Sequence, residues 1–266
     1  RRAFEGIARQ PLGAEYFGGL TSIDLWQELL DCPALFEYVR RARPHDGNGW
    51  LAAARRAVIE GRWSAAIADY AQAMRCPREL PTGLSDSDLQ LEYAVSRLLA
   101  RDVAESRRIA VDLIAAWQTI KSEVAEYPPF SRLKRNARRV WLLPPQGTFP
   151  TSQITAWSQN LDAAQLESAA QESLLHYRAG RFDRVLSQSV EEDWPFGDDR
   201  ACFFFTRAMA HQRLGHGAAA REWLTRATQW FDRQKQVSRL VSAYSNAANL
   251  LAAEALRREA EELIVK

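Results

Sequence analysis

Apolar residues recur at every third or fourth position along most of the chain, and the strict alternation typical of β-strands is nearly absent. In residues 49–74 this helical period runs twice, on either side of a break at Gly61. Glycine ends a helix readily because it adopts the left-handed backbone conformation without steric penalty. Ala54 and Ala66 are small enough to let two antiparallel helices approach closely. The aromatic residues predicted to fill the space around them are Trp50, Trp63 and Tyr70. The pattern therefore predicts a helical hairpin.

The same arrangement returns twice in the second half of the chain. It occurs in ESLLHYRAGRFDRVLSQSV around Gly180, and in FFFTRAMAHQRLGHGAAAREWLTRATQWF around Gly215, where Ala208 and Ala220 are the small contact residues. The two glycines are 35 residues apart, close to the roughly 34-residue period of tetratricopeptide repeats. At these residues the chain resembles the tetratricopeptide repeat (TPR) family, most specifically in residues 47–80 and 201–233.

Two further units depart from the pattern. In the unit at 87–120, Arg101 and Asp102 stand where a glycine and a polar residue are expected. In the unit at 130–162, Pro144 and Pro145 occupy the turn. Between these units, residues 126–130 are predicted to form a rigid connector. The resemblance thus implies an all-α, right-handed TPR-like solenoid of about five helical hairpins. Their predicted bounds are 47–80, 87–120, 130–162, 166–193 and 201–233, followed by a polar capping helix at 238–266.

The first 46 residues lie outside the resemblance. Ser22 is a candidate N-cap, and Pro33 is expected to begin a second helix. This segment is interpreted as an N-terminal cap, with the tail of a preceding module as the alternative. The last repeat and the final helix also look like the C-terminal repeats of large bacterial signalling proteins, which join TPR arrays to kinase, β-propeller or other modules.

Composition narrows the classes of function only a little. The formal net charge of +2 gives no global attraction to nucleic acid or membrane. Cys32, Cys76 and Cys202 lie far apart without paired spacing, which favours thiols in a reducing, cytoplasmic compartment. The chain has no apolar run long enough for a membrane span. Because it opens at Arg1 without a methionine, we expect a fragment of a longer protein.

Motifs of catalysis are missing from the sequence. It has no phosphate-binding glycine loop, no kinase signature and no Gly-x-Ser-x-Gly elbow. His211 and His216 are five residues apart, the wrong spacing for two metal ligands on one helical face, so the histidines are interpreted as packing residues. Acidic pairs in residues 191–199 are interpreted as solvated groups that precede a helix. We therefore expect a protein without enzymatic activity, cofactor or metal.

A cluster of arginines is the strongest candidate for binding. In residues 131–141, Arg132, Arg135 and Arg139 have the spacing i, i+3, i+7, which places them on one helical stripe. In TPR proteins this stripe of the first helix faces the concave groove. The candidate partner-binding residues are Arg55, Arg132, Arg135, Arg139, Arg178 and Arg213. Arginine pairs bidentately with carboxylates and phosphates, which favours an acidic peptide or phosphorylated segment over a nucleic-acid backbone. A solvated face paired with nearby acids is the alternative.

The sequence therefore predicts a non-catalytic scaffold for protein–protein interaction, with a peptide or partner domain in the concave groove. The lysine and asparagine pattern of TPR domains that bind a C-terminal carboxylate is not matched, so that ligand is not inferred. One alternative is a regulatory repeat domain that controls a kinase or protease module of a larger polypeptide. Another is recognition of a phosphorylated segment or nucleic-acid backbone. The partner could be another domain of the same polypeptide or a second copy of the chain.

Overall fold

The described part of the chain is entirely α-helical. The computed structural model describes residues 33–77, 85–119, 128–145, 148, 150, 152, 154, 169–188, 200–241 and 247–266. Across these residues there are eleven helices and no strand. The helices are α1 (Pro33–Ala42), α2 (Gly47–Ile59), α3 (Trp63–Arg75), α4 (Asp86–Leu99), α5 (Val103–Gln118), α6 (Pro128–Leu142), α7 (Ala169–Arg178), α8 (Phe182–Ser187), α9 (Arg200–Arg213), α10 (Gly217–Val241) and α11 (Ala247–Ile264).

Four helix pairs are joined by the same tight turn: α2 to α3, α4 to α5, α7 to α8, and α9 to α10. The turn residues are the only ones with positive φ in the described chain: Gly61 (73°), Arg101 (68°), Gly180 (74°) and Gly215 (79°). In the first turn, the N–H of Gly61 donates to the carbonyl of Val58 and the N–H of Arg62 donates to that of Ala57. The other three turns repeat both hydrogen bonds. This is the Schellman arrangement, which satisfies the last carbonyls of a helix.

The predicted break at Gly61 is therefore confirmed. Arg101 adopts the glycine conformation in the second turn, although an L-residue pays a steric penalty there. The small residues predicted at the helix contacts, Ala54, Ala66, Ala208 and Ala220, are all fully buried. The helix periods and the turns together thus produce four helical hairpins with the same turn geometry.

Neighbouring hairpins pack on one another in chain order. Helix α4 contacts α3, α5 and α6, and α9 contacts α7, α8 and α10. Helix α6 contacts α5 and α7, so it connects the first two hairpins to the last two. The predicted second helix of the unit at 130–162 falls mainly on residues outside the described chain.

Several predicted boundaries are corrected by the structure. Helix α6 begins at Pro128, inside the predicted connector at 126–130, because proline suits the first turn of a helix. Helix α10 continues to Val241, so Ser238 lies within it, and the final helix begins at Ala247. The predicted helix start at Pro33 is confirmed, whereas the predicted N-cap Ser22 lies outside the described residues.

The last helix does not pack only on the last hairpin. Helix α11 contacts α9 and α10, and also α4 and α2 from the opposite end of the chain. A helix that merely capped the array would contact its final unit alone. Helix α11 therefore connects the first hairpins to the last one. Within the described ranges, no helix has the length and apolar character needed to cross a membrane.

Candidate functional site

The candidate site is the surface on which α11 lies. Helices α2, α4, α6, α7 and α9 form it, and each is the first helix of an observed or predicted hairpin, so we call it the first-helix surface. Helices α2, α4 and α9 pack on α11 directly, and α6 and α7 reach it through arginine side chains. The arrangement places a helix where the sequence predicts a partner.

Burial of α11 extends around most of its circumference. Its buried residues are Ala247, Leu250, Leu251, Ala252, Ala253, Glu254, Leu256, Ala260 and Ile264. Ala252 and Leu256 face side chains of α6, α7 and α9 across a cavity of about 20 Å³. Each buried leucine or isoleucine contributes roughly 1.5–3 kcal/mol of hydrophobic stabilisation. Apolar contact thus supplies most of the energy that holds α11.

An ion pair fixes the position of α11 against α7. The guanidinium of Arg178 donates to both carboxylate oxygens of Glu259, with a distance of 2.6 Å from Nη2 to Oε2. Arg178 also donates to the carbonyls of Leu142 and Leu143 at the end of α6. The side chains of Arg178 and Glu259 are only 2% and 13% exposed. One buried cation therefore joins α6, α7 and α11.

Two further polar contacts lie along α11. Arg139 of α6 donates to the side-chain carbonyl of Asn249. Arg258 donates from Nη1 to the carbonyl of Leu99 over 2.8 Å, and its guanidinium lies 5.1 Å from the ring centre of Trp63. The carbonyl of Leu99 is one of the last in α4, where helices leave acceptors unpaired. These contacts give α11 a defined register along the surface.

Arg55, predicted to face the groove, forms a second buried cluster between the first two hairpins. Its Nε and Nη2 donate to the two carboxylate oxygens of Glu92 over 2.9 and 2.7 Å. The hydroxyl of Tyr70 donates to the same carboxylate over 2.8 Å. Burial, reinforced by the negative charge of Glu92, raises the pKa of Tyr70 well above its usual value. In this structure the side chain of Arg55 is 0% exposed, so it offers no surface to a partner.

The structure separates the six predicted binding arginines. Arg139 and Arg178 contact α11, whereas Arg55 pairs with Glu92. Arg135 is partly buried in α6, and Arg213 is exposed at the end of α9. Arg132 lies in α6, but its side chain is outside the described set. Three of the six are therefore engaged by other side chains of the same chain, and the prediction that the six bind a partner stays untested.

His211 and His216 lie on either side of the tight turn at Gly215. The turn at Gly215 folds the chain back, so that the two Nδ1 atoms lie 3.4 Å apart even though the residues cannot share a helical face. Burial, together with the charges of Arg207 and His216, lowers the pKa of His211. His216 is exposed. Nowhere in the described ranges do three or more His, Cys, Asp or Glu side chains gather in a way that could hold a metal ion.

Sequence reasoning missed the partners of the arginines, namely Glu92, Asn249 and Glu259. Glu92 lies 37 residues from Arg55, and Glu259 lies 81 residues from Arg178. No local period connects residues at such separations. The sequence does contain a local pattern of a different kind: the motif Trp-x-x-Arg occurs twice in α10, beginning at Trp223 and at Trp230.

Comparisons with known proteins give no relative to set beside this geometry. The chain matches no protein-family model, no curated protein and no solved structure.

Proposed function

We propose that the protein is a non-catalytic interaction scaffold whose first-helix surface binds an amphipathic helix bearing a glutamate opposite Arg178. The observation that supports this is the seating of α11, by leucine contacts and by the Arg178–Glu259 ion pair. Binding of an apolar helical face in a groove is a common mode of peptide recognition. In this structure the occupant is a segment of the same chain.

The TPR-like solenoid is part of the same proposal. Four hairpins with the same Schellman turn, and with buried alanines at their helix contacts, support a repeated unit. In such an array the first helices form a continuous surface, which suits a partner that spans several units. The alternative function, regulation of a kinase or protease module within a larger polypeptide, is favoured by the intrachain origin of α11.

The test is whether α11 can be exchanged for a helix supplied in solution. A fluorescent peptide of residues 247–266 is titrated into the full chain and into the Glu259→Arg variant, in which like charges at Arg178 loosen the resident helix. We expect the peptide to bind the variant at least about tenfold more tightly than the wild type, a difference of roughly 1.4 kcal/mol. Polarisation of the fluorescence reports the affinity.

Two controls make the result specific. Glu262→Arg makes the same charge change at a residue of α11 that is 58% exposed and pairs, over 4.0 Å, with the 89% exposed Arg101 instead of Arg178. Because exposed pairs contribute little, this chain should behave as the wild type. A peptide carrying Glu259→Arg should fail to bind any of the chains. If the native peptide binds neither the wild type nor a folded Glu259→Arg chain, α11 is a permanent part of the core and the scaffold function does not reside in this surface.

A further inference from the structure

A second surface, unrelated to α11, combines arginines and tryptophans in a repeated pattern. Arg207 of α9 and Arg226 of α10 both lie against Trp223, at 4.9 and 5.0 Å from the ring centre. Seven residues further along α10, Arg233 lies 5.4 Å from the ring centre of Trp230. Arg200 of α9 lies 4.5 Å from the same ring. We call these four arginines and two tryptophans the Arg–Trp ladder.

The two tiers of the ladder follow from helix geometry. Trp223 and Trp230 are two helical turns apart on α10, and Arg226 and Arg233 repeat that step. Arg207 and Arg200 are also seven residues apart on α9, which packs directly on α10. Each tryptophan therefore has one arginine from its own helix and one from the neighbouring helix.

The two exposed arginines of the ladder lie within cation–π distance of the rings, and the Nε of Arg233 also donates to the carbonyl of Gln229. A guanidinium attracted to an aromatic face within about 6 Å keeps its N–H donors in the plane of the group, where they suit a carboxylate. Arg226 and Arg233 are exposed. Neither forms an ion pair with any acid of the described chain. Within the described residues, they are therefore cations held in place without a paired anion.

Two arginines of the ladder, Arg207 and Arg226, lie close enough to repel one another. Arg207 is partly buried and donates to the carbonyls of Leu186 and Gln188. Burial, and the nearby positive charge of Arg226, lower the pKa of Arg207. An anion placed at the exposed edge of Arg226 would relieve this repulsion between like charges. The surface is thus complementary to negative charge.

We propose that the Arg–Trp ladder is a docking surface for an acidic peptide segment. Arg226 and Arg233 are two helical turns apart, about 10 Å along the helix axis. Carboxylates three residues apart in a peptide of polyproline II conformation lie on one face with about the same separation, at roughly 3.1 Å per residue. Single-stranded nucleic acid fits less well, because it is bound by stacking bases on open aromatic faces, and guanidinium groups already lie over both indoles.

The experiment uses the full chain and a fluorescent peptide with glutamate at every third position. A peptide with glutamine at those positions is the matched probe. We expect saturable binding of the glutamate peptide at low salt, weakening as salt is added. Arg226→Gln combined with Arg233→Gln should reduce its affinity by roughly three- to tenfold, and the glutamine peptide should not bind.

A matched control separates this surface from overall charge. Arg75→Gln combined with Arg221→Gln removes two other exposed arginines and should leave the affinity unchanged. Lysine at 226 and 233 keeps the charge without the planar donor pair, so intermediate affinity is expected, and this variant guards against loss of fold. Equal weakening by the control pair, no binding to the wild type, or stronger binding of a thymidine oligonucleotide that displaces the peptide would each overturn the proposal.

Discussion

Arg178 and Glu259 are 81 residues apart in the chain, yet their side chains meet in a bidentate ion pair with a distance of 2.6 Å from Nη2 to Oε2. The pair joins the third hairpin to the final helix, and the same arginine also satisfies two carbonyls at the end of α6. Burying two charges costs much of what their attraction returns. The main effect of this pair is therefore to fix the register of α11, since Glu259 meets Arg178 only when the helix is correctly seated.

The ion pair makes a direct prediction about stability. Glu259→Gln and Arg178→Met should each lower the free energy of unfolding by roughly 3–5 kcal/mol, because each leaves a buried group without its partner. The double variant should lose less than the sum of the two, which urea denaturation measures as a coupling energy. Glu262→Gln, at a residue that is 58% exposed, should change stability by less than about 0.5 kcal/mol. Strict additivity of the two substitutions would contradict the pair seen here.

Replacing Arg101 with glycine should raise the stability of the fold. Its φ of 68° lies in the left-handed region, which costs an L-residue about 1–2 kcal/mol. Glycine removes this cost but makes the unfolded chain more flexible, so we expect Arg101→Gly to raise stability by about 0.5–1 kcal/mol. Arg107→Gly, inside α5, should have the opposite sign and cost about 1 kcal/mol. Guanidinium unfolding compares the two, and a loss of stability in both would show that the second turn is not strained.

Substituting a turn glycine should destabilise the fold because of the backbone conformation at that position, and not because the new side chain would clash. A Cβ added at Gly180 meets nothing within 4 Å, but the φ of 74° disfavours any L-residue. Gly180→Ala should therefore cost about 1–2 kcal/mol. Gly217, at the start of α10, is the control, since its Cβ would lie 3.7 Å from the flexible end of Arg221 and its φ is not positive. Thermal unfolding should show little change for Gly217→Ala, and a similar loss in both variants would refute the explanation.

Two histidines predict how stability depends on pH. Burial lowers the pKa of His176 despite the carboxylate of Glu172, and burial with nearby arginine charge lowers that of His211. When the folded-state pKa is lower, the unfolded chain binds more protons near pH 6, so stability is present above about pH 6.5 and is lost as the pH falls. Unfolding midpoints between about pH 8 and 5 should show this decline.

Substitution tests the assignment of that decline. His176→Gln combined with His211→Gln should make the dependence on pH shallower. His45→Gln, at an exposed residue in the loop before α2, should leave the profile as it is. If the double variant keeps the full slope, other groups are responsible for it.

Much of the local structure could be read from the sequence. The helix period and the glycines at 61, 180 and 215 predict the helices and the breaks between them, because both signals lie within a few residues. The turn at Arg101 was predicted only from the pattern around it, since its own side chain does not favour the conformation. The start of α6 was misplaced because proline both follows connectors and begins helices. The start of α11 was misplaced because Ser238 was taken as a helix start, whereas α10 continues through it to Val241.

The candidate site depended on contacts that no local pattern encodes. Arg178 was identified as a binding residue from its type and position, but the pairing with Glu259 required α11 to return across the chain. Arg55 was assigned to the same groove, whereas packing of α4 against the first hairpin places Glu92 beside it. An arginine carries its charge whatever the fold, but the residues packed around it decide whether that charge can reach a partner.

The sequence by itself determined an all-α chain, the positions of the tight turns and the small residues at the helix contacts, because helix period and backbone freedom are local properties. The tertiary structure alone decided that α11 lies on the first-helix surface, that two predicted binding arginines are held in buried ion pairs, and that the arginines of α9 and α10 stack on Trp223 and Trp230. The physical reason is that burial and ion pairing depend on which distant segments meet. That choice is made by the packing of whole helices.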